Sequence, residues 1–220
     1  MIRTVLLPLR QGKDESITDI SWEVNNRFSS LWEFYNNYNE SLIEDHIRAW
    51  NDIWNGAGIE LEGERAQRLQ QVTNTSLYWI LSSVRQDWPW SLSPGSLASN
   101  GYNGHTFWDT ETWMYPTIMM LDTSIGQSIL QYRANHLQGA QRKAKTYIPP
   151  FQGAMFPWED AYSGYEVCPK GVSTCRLEQH ITGDIAFAMR QYWDNTHDIQ
   201  WLSDNQHMLN EICTFWASRG

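Results

Sequence analysis

Two segments of the sequence place aromatic side chains directly beside carboxylates, shortly after a glycine. The first is GYNGHTFWDTETWMYP and the second is GAMFPWEDAYSGYEV. A neutral sugar ring suits this combination, because its apolar C–H face packs on an indole and its hydroxyls donate to a fixed carboxylate. Glycine allows the backbone to come close to such a ligand. The candidate substrate-binding residues are therefore Trp108, Asp109, His105, Trp158 and Glu159.

The same residues also have ordinary structural explanations. Asp109 precedes a helical pattern, and aspartate is a preferred N-cap, so its carboxylate could serve only the backbone. Glu111 could be solvated or locally paired, and the acids Glu159–Asp160 could be surface charges of a loop. The histidines His105 and His180 could be hydrogen-bonded parts of the scaffold. From the residue types alone, a sugar site and a structural role are equally supported.

The overall composition excludes several other classes of function. The chain has 220 residues and a net charge of −9, with 16 Lys and Arg, which disfavours nucleic acid and anionic membranes as partners. It has neither a phosphate-binding glycine loop with Lys-Ser/Thr, nor HExxH, nor GxSxG. We therefore expect no cofactor.

The cysteines do not form a metal-binding pattern. Cys168, Cys175 and Cys213 lack CxxC spacing and clustered histidines, so we expect no metal site. Cys168 and Cys175 could be bridged or could both be free thiols; the sequence leaves these alternatives open.

The elements that must position these residues are helices separated by long loops. Apolar residues at helical spacing predict helices over residues 30–54, 66–84, 109–121, 123–147, 181–196 and 201–219. Pro116 predicts a kink or an early end in the third of them. Residues 1–25 lack a helical period, and TVLLPL could form an edge strand. The loops are rich in Gly, Pro and Trp, which predicts an all-α fold with functional loops gathered at one end.

Four separated motifs together resemble glycoside hydrolase family 65. In chain order they are GYNGHTFWDTETWMYP, QYRANHLQGAQRKAK, GAMFPWE and FWASR. The resemblance implies a catalytic (α/α)6 barrel that is preceded by a β-sandwich and a helical linker. On this basis residues 1–28 are predicted to end the β-domain or its connection, and residues 29–58 to form the linker. Residues 59–220 are predicted to form about the first half of the barrel, truncated at Gly220.

The resemblance also implies a reaction. The family includes inverting hydrolases that release glucose from α-glucosides. The loop WEDAYSGYEVCP resembles the branch that acts on the glucosyl-galactosyl-hydroxylysine unit of collagen-type proteins, which is the expected substrate. Trehalose hydrolysis and disaccharide phosphorolysis are the alternatives within the family. A non-catalytic carbohydrate-binding or purely structural helical fragment is the alternative outside it.

Residue roles follow from the matching motifs. Trp108 and Asp109 match the pair that holds the non-reducing glucose, and Trp158 and Glu159 match a second loop contact. Arg133 also lies in a matching motif, and His105 lies in the first one; neither has an assigned role.

The expected catalytic acid is missing from the matched part of the family pattern. The resemblance implies a general-acid glutamate, and the general base, beyond Gly220, so no catalytic acid or base is predicted within this chain. A glucoside is the expected partner. The oligomeric state stays open, and so does the compartment, for which the cytoplasm is slightly favoured.

Overall fold

The computed structural model describes residues 25–26, 29–30, 32–33, 36, 39–56 and 58–220. The chain separates into two units, one ending at Gly58 and the other spanning Ile59–Gly220. Helix α1, Asn39–Gly56, belongs to the first unit. The predicted edge strand TVLLPL lies outside the described residues. The assignment of the units to a linker and half of a barrel stays a prediction.

The second unit is built from helices and connecting loops. The helices are α2 (Ala66–Leu81), α3 (Tyr115–Leu121), α4 (Thr123–Asn135), α5 (Leu137–Ala144), α6 (Thr174–Leu177), α7 (Ile181–Thr196) and α8 (Ile199–Arg219). Between residues 58 and 220 the extended backbone forms no strand, only two isolated antiparallel bridges. The prediction of an all-α fold is confirmed. Among the described helices, none combines the length and the apolar character needed to cross a membrane.

Helix α7 is central to the packing of this unit. It contacts α3, α4 and α8, and also the short helical turn that precedes α3. Its buried face carries Ile181, Ile185 and Ala188, which recur at the spacing of one helix face. Tyr115 of α3 and Leu130 of α4 are fully buried in the same core. The short helical turn that follows Trp108 and Asp109 is therefore packed against the helices of this core.

Residues 109–121 are helical throughout, as predicted, but the run begins with a π-helical turn and not with a regular α-helix. A π-helical turn spans Thr110–Met114, and α3 begins at Tyr115 with Pro116 in its first turn. Proline lacks an N–H, and the first turn of a helix is where that group would have no intrahelical acceptor. Pro116 therefore lies where the π-helical turn passes into α3, and Trp108 and Asp109 stand immediately before that turn.

The prediction of a single helix over residues 123–147 is wrong. The structure contains two helices, α4 and α5, because His136 leaves the helical region with φ −98° and ψ 7°. The imidazole Nδ1 of His136 lies 2.9 Å from Oδ2 of Asp160, in a loop distant in sequence. A tertiary contact of this kind has no signal in the local apolar pattern.

Gly139 in α5 provides a test of how closely the helix and this loop must approach. A Cβ at position 139 would overlap the backbone of Gly164, which is itself held at φ +72°. We expect Gly139→Ala to lower the free energy of unfolding by about 1–3 kcal/mol.

Gly183 in α7 is the matched control, since a Cβ there would only touch the Trp216 ring at 3.7 Å. Gly183→Ala should leave stability unchanged or raise it by up to about 1 kcal/mol. Urea unfolding of the complete natural protein measures both, and equal stabilities would contradict the packing described.

Candidate active site

The two aromatic–acid segments lie side by side. The amide of Thr106 donates to the Asp160 carbonyl at 2.8 Å, and the amide of Asp160 donates to the Thr106 carbonyl at 2.9 Å. The rings of Phe107 and Trp158 meet edge to face, with centroids 4.9 Å apart. The structure thus brings together two loops that are distant in sequence and that carry all five predicted site residues.

His105 and Glu159 form a pair across these segments. Nδ1 of His105 lies 2.7 Å from Oε1 of Glu159, and the Glu159 side chain is almost completely buried. The suggestion that Glu159 is a surface charge is therefore wrong. Glu166 holds the backbone beneath it, accepting from the amides of Trp158 at 2.9 Å and Glu159 at 3.0 Å. Lys143 completes this support, with Nζ 2.6 Å from Oε2 of Glu166.

Trp158 is fixed at both sides of its indole. Its Nε1 donates to Oε2 of Glu178 at 2.9 Å, while its ring and the Phe107 ring meet edge to face. The side chain remains half-buried. It is consequently a rigid wall of the site, and its contact with a ligand stays a prediction.

Trp108 and Asp109 are both half-buried, at the start of the π-helical turn. The Trp108 ring meets the His180 imidazole edge to face, with centroids 4.9 Å apart. Asp109 occupies the N-cap position, but its side chain accepts no capping hydrogen bond. Asp122 and Asp198, in contrast, do cap α4 and α8 through their carboxylates. Within the described part of the chain, the Asp109 carboxylate has neither a hydrogen bond nor an ion pair.

A buried ionic network anchors the backbone just before this pair. Arg133 of α4 is 0% exposed and donates to both oxygens of Glu111, from Nε at 2.7 Å and Nη2 at 3.0 Å. Nη1 of Arg133 donates to Oδ2 of Asp160 at 3.3 Å, and Nη2 donates to the Phe107 carbonyl at 3.2 Å. The network therefore ties the residue preceding Trp108 to the core.

The acids of this network were not predicted to be buried. Glu111 is 1% exposed and Asp160 is 0% exposed, so the solvated position considered for Glu111 and the surface position considered for Asp160 are both wrong. The partner of Glu111 is 22 residues away in sequence, which makes the pair tertiary rather than local. The sequence motif QYRANH did indicate Arg133, but it could not show which acids Arg133 contacts.

The protonation of the network follows from burial and charge. Burial raises the pKa of Glu111, and the Arg133 guanidinium opposes that rise. Burial lowers the pKa of Arg133, but the Glu111 and Asp160 carboxylates outweigh it and raise that pKa overall. Arg133 thus stays charged, and removing it would leave two buried acids without their cation.

The loop after the second segment contains a disulfide. Cys168 and Cys175 are bridged, with their Cα atoms 6.0 Å apart, which settles the alternative that the sequence left open. In the part of the chain that the structure describes, Glu166 and these two sulfurs form the one group close enough to hold a metal ion. Because the sulfurs are bonded to each other and are not thiolates, this group does not fit a metal.

A known fold matches these helices. A solved protein from the human microbiome, provisionally described as a kojibiose phosphorylase, aligns with 94% of this chain and 28% of its own, with a TM-score of 0.75 at 21% identity. The helices thus form part of an (α/α) barrel, as the sequence predicted.

The sequence comparison is more specific. The glycosyl hydrolase family 65 central catalytic domain matches residues 74–220, and the chain belongs to this family. It is 52% identical over 183 residues to a protein-glucosylgalactosylhydroxylysine glucosidase of Dictyostelium discoideum, covering 82% of this chain and 25% of the relative. It is 41% identical over 179 residues to a kojibiose hydrolase of Flavobacterium johnsoniae, covering 81% and 26%. A kojibiose phosphorylase of Caldanaerobacter subterraneus is 34% identical over 203 residues, covering 87% and 26%. The chain spans about a quarter of the length of these relatives.

Proposed function

We propose that the complete protein is an inverting glycoside hydrolase that releases glucose from an α-glucoside. Residues 29–58 then supply the helical linker, and residues 59–220 supply about half of the catalytic barrel, including the part that holds the glucose ring. The observation that carries this proposal is the Asp109 carboxylate, which is half-buried beside Trp108 and bonded to no described residue. An acid held in this way on anchored backbone is available to a ligand.

Asp109 would act by binding hydroxyls of the glucose ring. A carboxylate can accept from two adjacent hydroxyls in a fixed geometry, and each such bond strengthens when the ring gains positive charge in an oxocarbenium-like transition state. Interactions that are stronger in the transition state than in the ground state accelerate the reaction. Trp108 contributes an apolar surface for the C–H face of the ring. The Arg133 network contributes by holding the preceding residue in place.

The acid and base of the reaction would come from the remainder of the barrel. In an inverting hydrolase, one carboxylic acid protonates the leaving oxygen and a second carboxylate activates water on the opposite face. The two groups stand about 6.5–9.5 Å apart. In this scheme Asp109 binds the sugar and is neither of the two. The His105–Glu159 pair and Trp158 would shape the adjoining wall.

The proposed substrate is the glucosyl-galactosyl-hydroxylysine unit. The support is the relative at 52% identity, which is named for that activity. The loop SGYEVCP resembles the same segment in that branch of the family. Its Glu166 accepts from the Glu159 amide, and the Cys168–Cys175 disulfide closes the end of the loop. Kojibiose is the second candidate, because relatives at 41% and 34% identity are named for its hydrolysis and its phosphorolysis.

A substrate panel tests this proposal on the complete protein. We expect glucose release from glucosyl-galactosyl-hydroxylysine to exceed release from kojibiose and trehalose, and to be independent of phosphate. Proton NMR of the first product should show β-glucose, since inversion of an α-glucoside gives the β-anomer. Phosphate-dependent formation of glucose 1-phosphate would instead establish a phosphorylase, and cleavage of none of the three would contradict the proposal.

A further inference from the structure

His180 connects the two tryptophans of the candidate active site. Its imidazole and the Trp108 indole meet edge to face, with centroids 4.9 Å apart and planes at 87°. Its Nε2 lies 3.5 Å from Oε2 of Glu178, and this same oxygen accepts from Nε1 of Trp158 at 2.9 Å. One imidazole therefore contacts Trp108 directly and Trp158 through a single shared acceptor.

Helix α7 and Asp184 fix the position of His180. The residue immediately precedes α7, and its carbonyl accepts from the amides of Gly183 at 2.7 Å and Asp184 at 2.9 Å. The next residue, Ile181, is fully buried in the core. The imidazole is held as well, because its Nδ1 lies 2.6 Å from Oδ2 of Asp184. The orientation of the ring is thus set by the helix that it precedes.

The helix and the core make little use of this side chain. The His180 imidazole donates no capping hydrogen bond to α7 and is 43% exposed, so it neither satisfies the helix start nor fills the core. His136, in contrast, is almost completely buried and lies against Asp160 of the ionic network. The ring of His180 packs on Trp108 instead, which indicates a role in the site and not in the core.

Trp108 needs support of this kind because it is only half-buried and precedes a turn. Another neighbouring ring, that of Trp113, lies 6.1 Å away between centroids and is itself 66% exposed. The His180 ring is closer, and Asp184 holds it. A sugar packs well on an indole only when the flat face of the indole is presented to it, and a misplacement of about 1 Å can cost about 10²-fold in rate.

We propose that His180 is a positioning residue, which holds the Trp108 indole at the angle that the glucose ring requires. Asp184 and Glu178 hold the imidazole in turn. This inference rests on the proposed function, in which Trp108 packs against the glucose ring. His180 acts through Trp108 and takes no part in proton transfer.

Kinetics of the complete protein test this role, with the glucoside that the substrate panel shows to be cleaved fastest. We expect His180→Ala to lower kcat/KM by about tenfold, which is less than the cost of a full misplacement of about 1 Å. Cleavage of no glucoside by the wild type would refute the proposed function. Equal kcat/KM values for the wild type and His180→Ala would refute this inference alone.

His197 is the matched control for His180. Its ring also lies against a tryptophan, Trp193, with centroids 5.5 Å apart, but at the opposite end of the 16-residue helix α7. His197→Asn should leave kcat/KM unchanged, because asparagine tolerates the left-handed backbone of this position, at φ 51°. A loss in His197→Asn equal to that in His180→Ala would show that any histidine at an end of α7 has this effect, and would contradict the proposal.

Two further substitutions separate the ring of His180 from its polar atoms. Phenylalanine keeps a ring against Trp108 but loses both carboxylate contacts, whereas asparagine can keep a hydrogen bond to Asp184 but has no ring. We expect His180→Phe to retain more of kcat/KM than His180→Asn, because the ring is what positions Trp108. The side chains of Glu178 and Asp184 are at least 26% exposed, so water can solvate them in the phenylalanine variant. The opposite order would show that His180 serves only the two acids and would overturn the proposal.

A double-mutant cycle with Trp108 shows whether His180 acts through that indole. In a Trp108→Ala background, His180→Ala should lower kcat/KM by less than about twofold, because the side chain that it positions is gone. Thermal unfolding of each variant measures folding separately. Losses of kcat/KM that multiply in the double variant would show that His180 acts independently of Trp108, as a purely structural residue would, and the proposal would fail.

Discussion

Replacing Asp109 with Asn in the complete protein should lower kcat by about 10²–10³-fold, the scale found when one group that stabilises transition-state charge is removed. Asparagine keeps the size of the side chain but loses the negative charge and one acceptor. The fold should tolerate the change, because no described residue is bonded to the Asp109 carboxylate. Steady-state kinetics with glucosyl-galactosyl-hydroxylysine and a thermal unfolding curve together measure both effects.

Asp198 is the matched control for this substitution. Its carboxylate caps α8 by accepting from the amide of Trp201 at 3.0 Å. Asp198→Ala should therefore cost about 1 kcal/mol of stability with kcat unchanged, whereas Asp109→Ala should abolish turnover with stability unchanged. Normal kinetics in Asp109→Asn, or a loss of stability in Asp109→Ala that matches the control, would return Asp109 to a structural role.

Replacing Arg133 with Met should lower the free energy of unfolding by about 3–5 kcal/mol. Methionine fills much of the volume but leaves Glu111 and Asp160 buried without their cation, and it removes one of the two donors to the Phe107 carbonyl, which keeps the Thr110 amide at 3.3 Å. Since the Phe107 carbonyl precedes Trp108 directly, any folded fraction should also bind glucose more weakly. Urea unfolding followed by circular dichroism measures the loss of stability.

Arg190 is the control for Arg133. It is exposed and pairs with Asp194 four residues later at 3.2 Å, so Arg190→Met should change stability by less than about 1 kcal/mol. If Arg133→Met does not fold, Glu111→Gln provides a milder test, because the amide keeps one acceptor for Arg133 and removes the charge. Stability within about 1 kcal/mol of the wild type for Arg133→Met would contradict the described network.

The helices could be predicted because their signal is local. Apolar residues at helical spacing located α2, α7 and α8 within a few residues. The break at His136 and the π-helical turn before Pro116 could not be predicted. His136, at the break, is paired with Asp160, and Glu111, in the π-helical turn, is paired with Arg133; both partners are remote in sequence.

The candidate site could be predicted only by residue type. The two aromatic–acid segments could be grouped from the sequence because they have similar compositions. The bridge between Thr106 and Asp160 that joins them is a tertiary contact, which local sequence does not reveal. The sequence does not show whether a carboxylate is buried. Glu111 and Asp160 are buried because each is paired with Arg133, and this pairing is visible only in the folded structure.

A crystal structure of the complete protein with bound glucose would show whether Trp108 and Asp109 hold the sugar. We expect one glucose ring against the Trp108 indole, with the Asp109 carboxylate oxygens about 2.5–3.0 Å from ring hydroxyls. Glucose bound elsewhere, with the Asp109 carboxylate turned to backbone amides of its own helix, would contradict it.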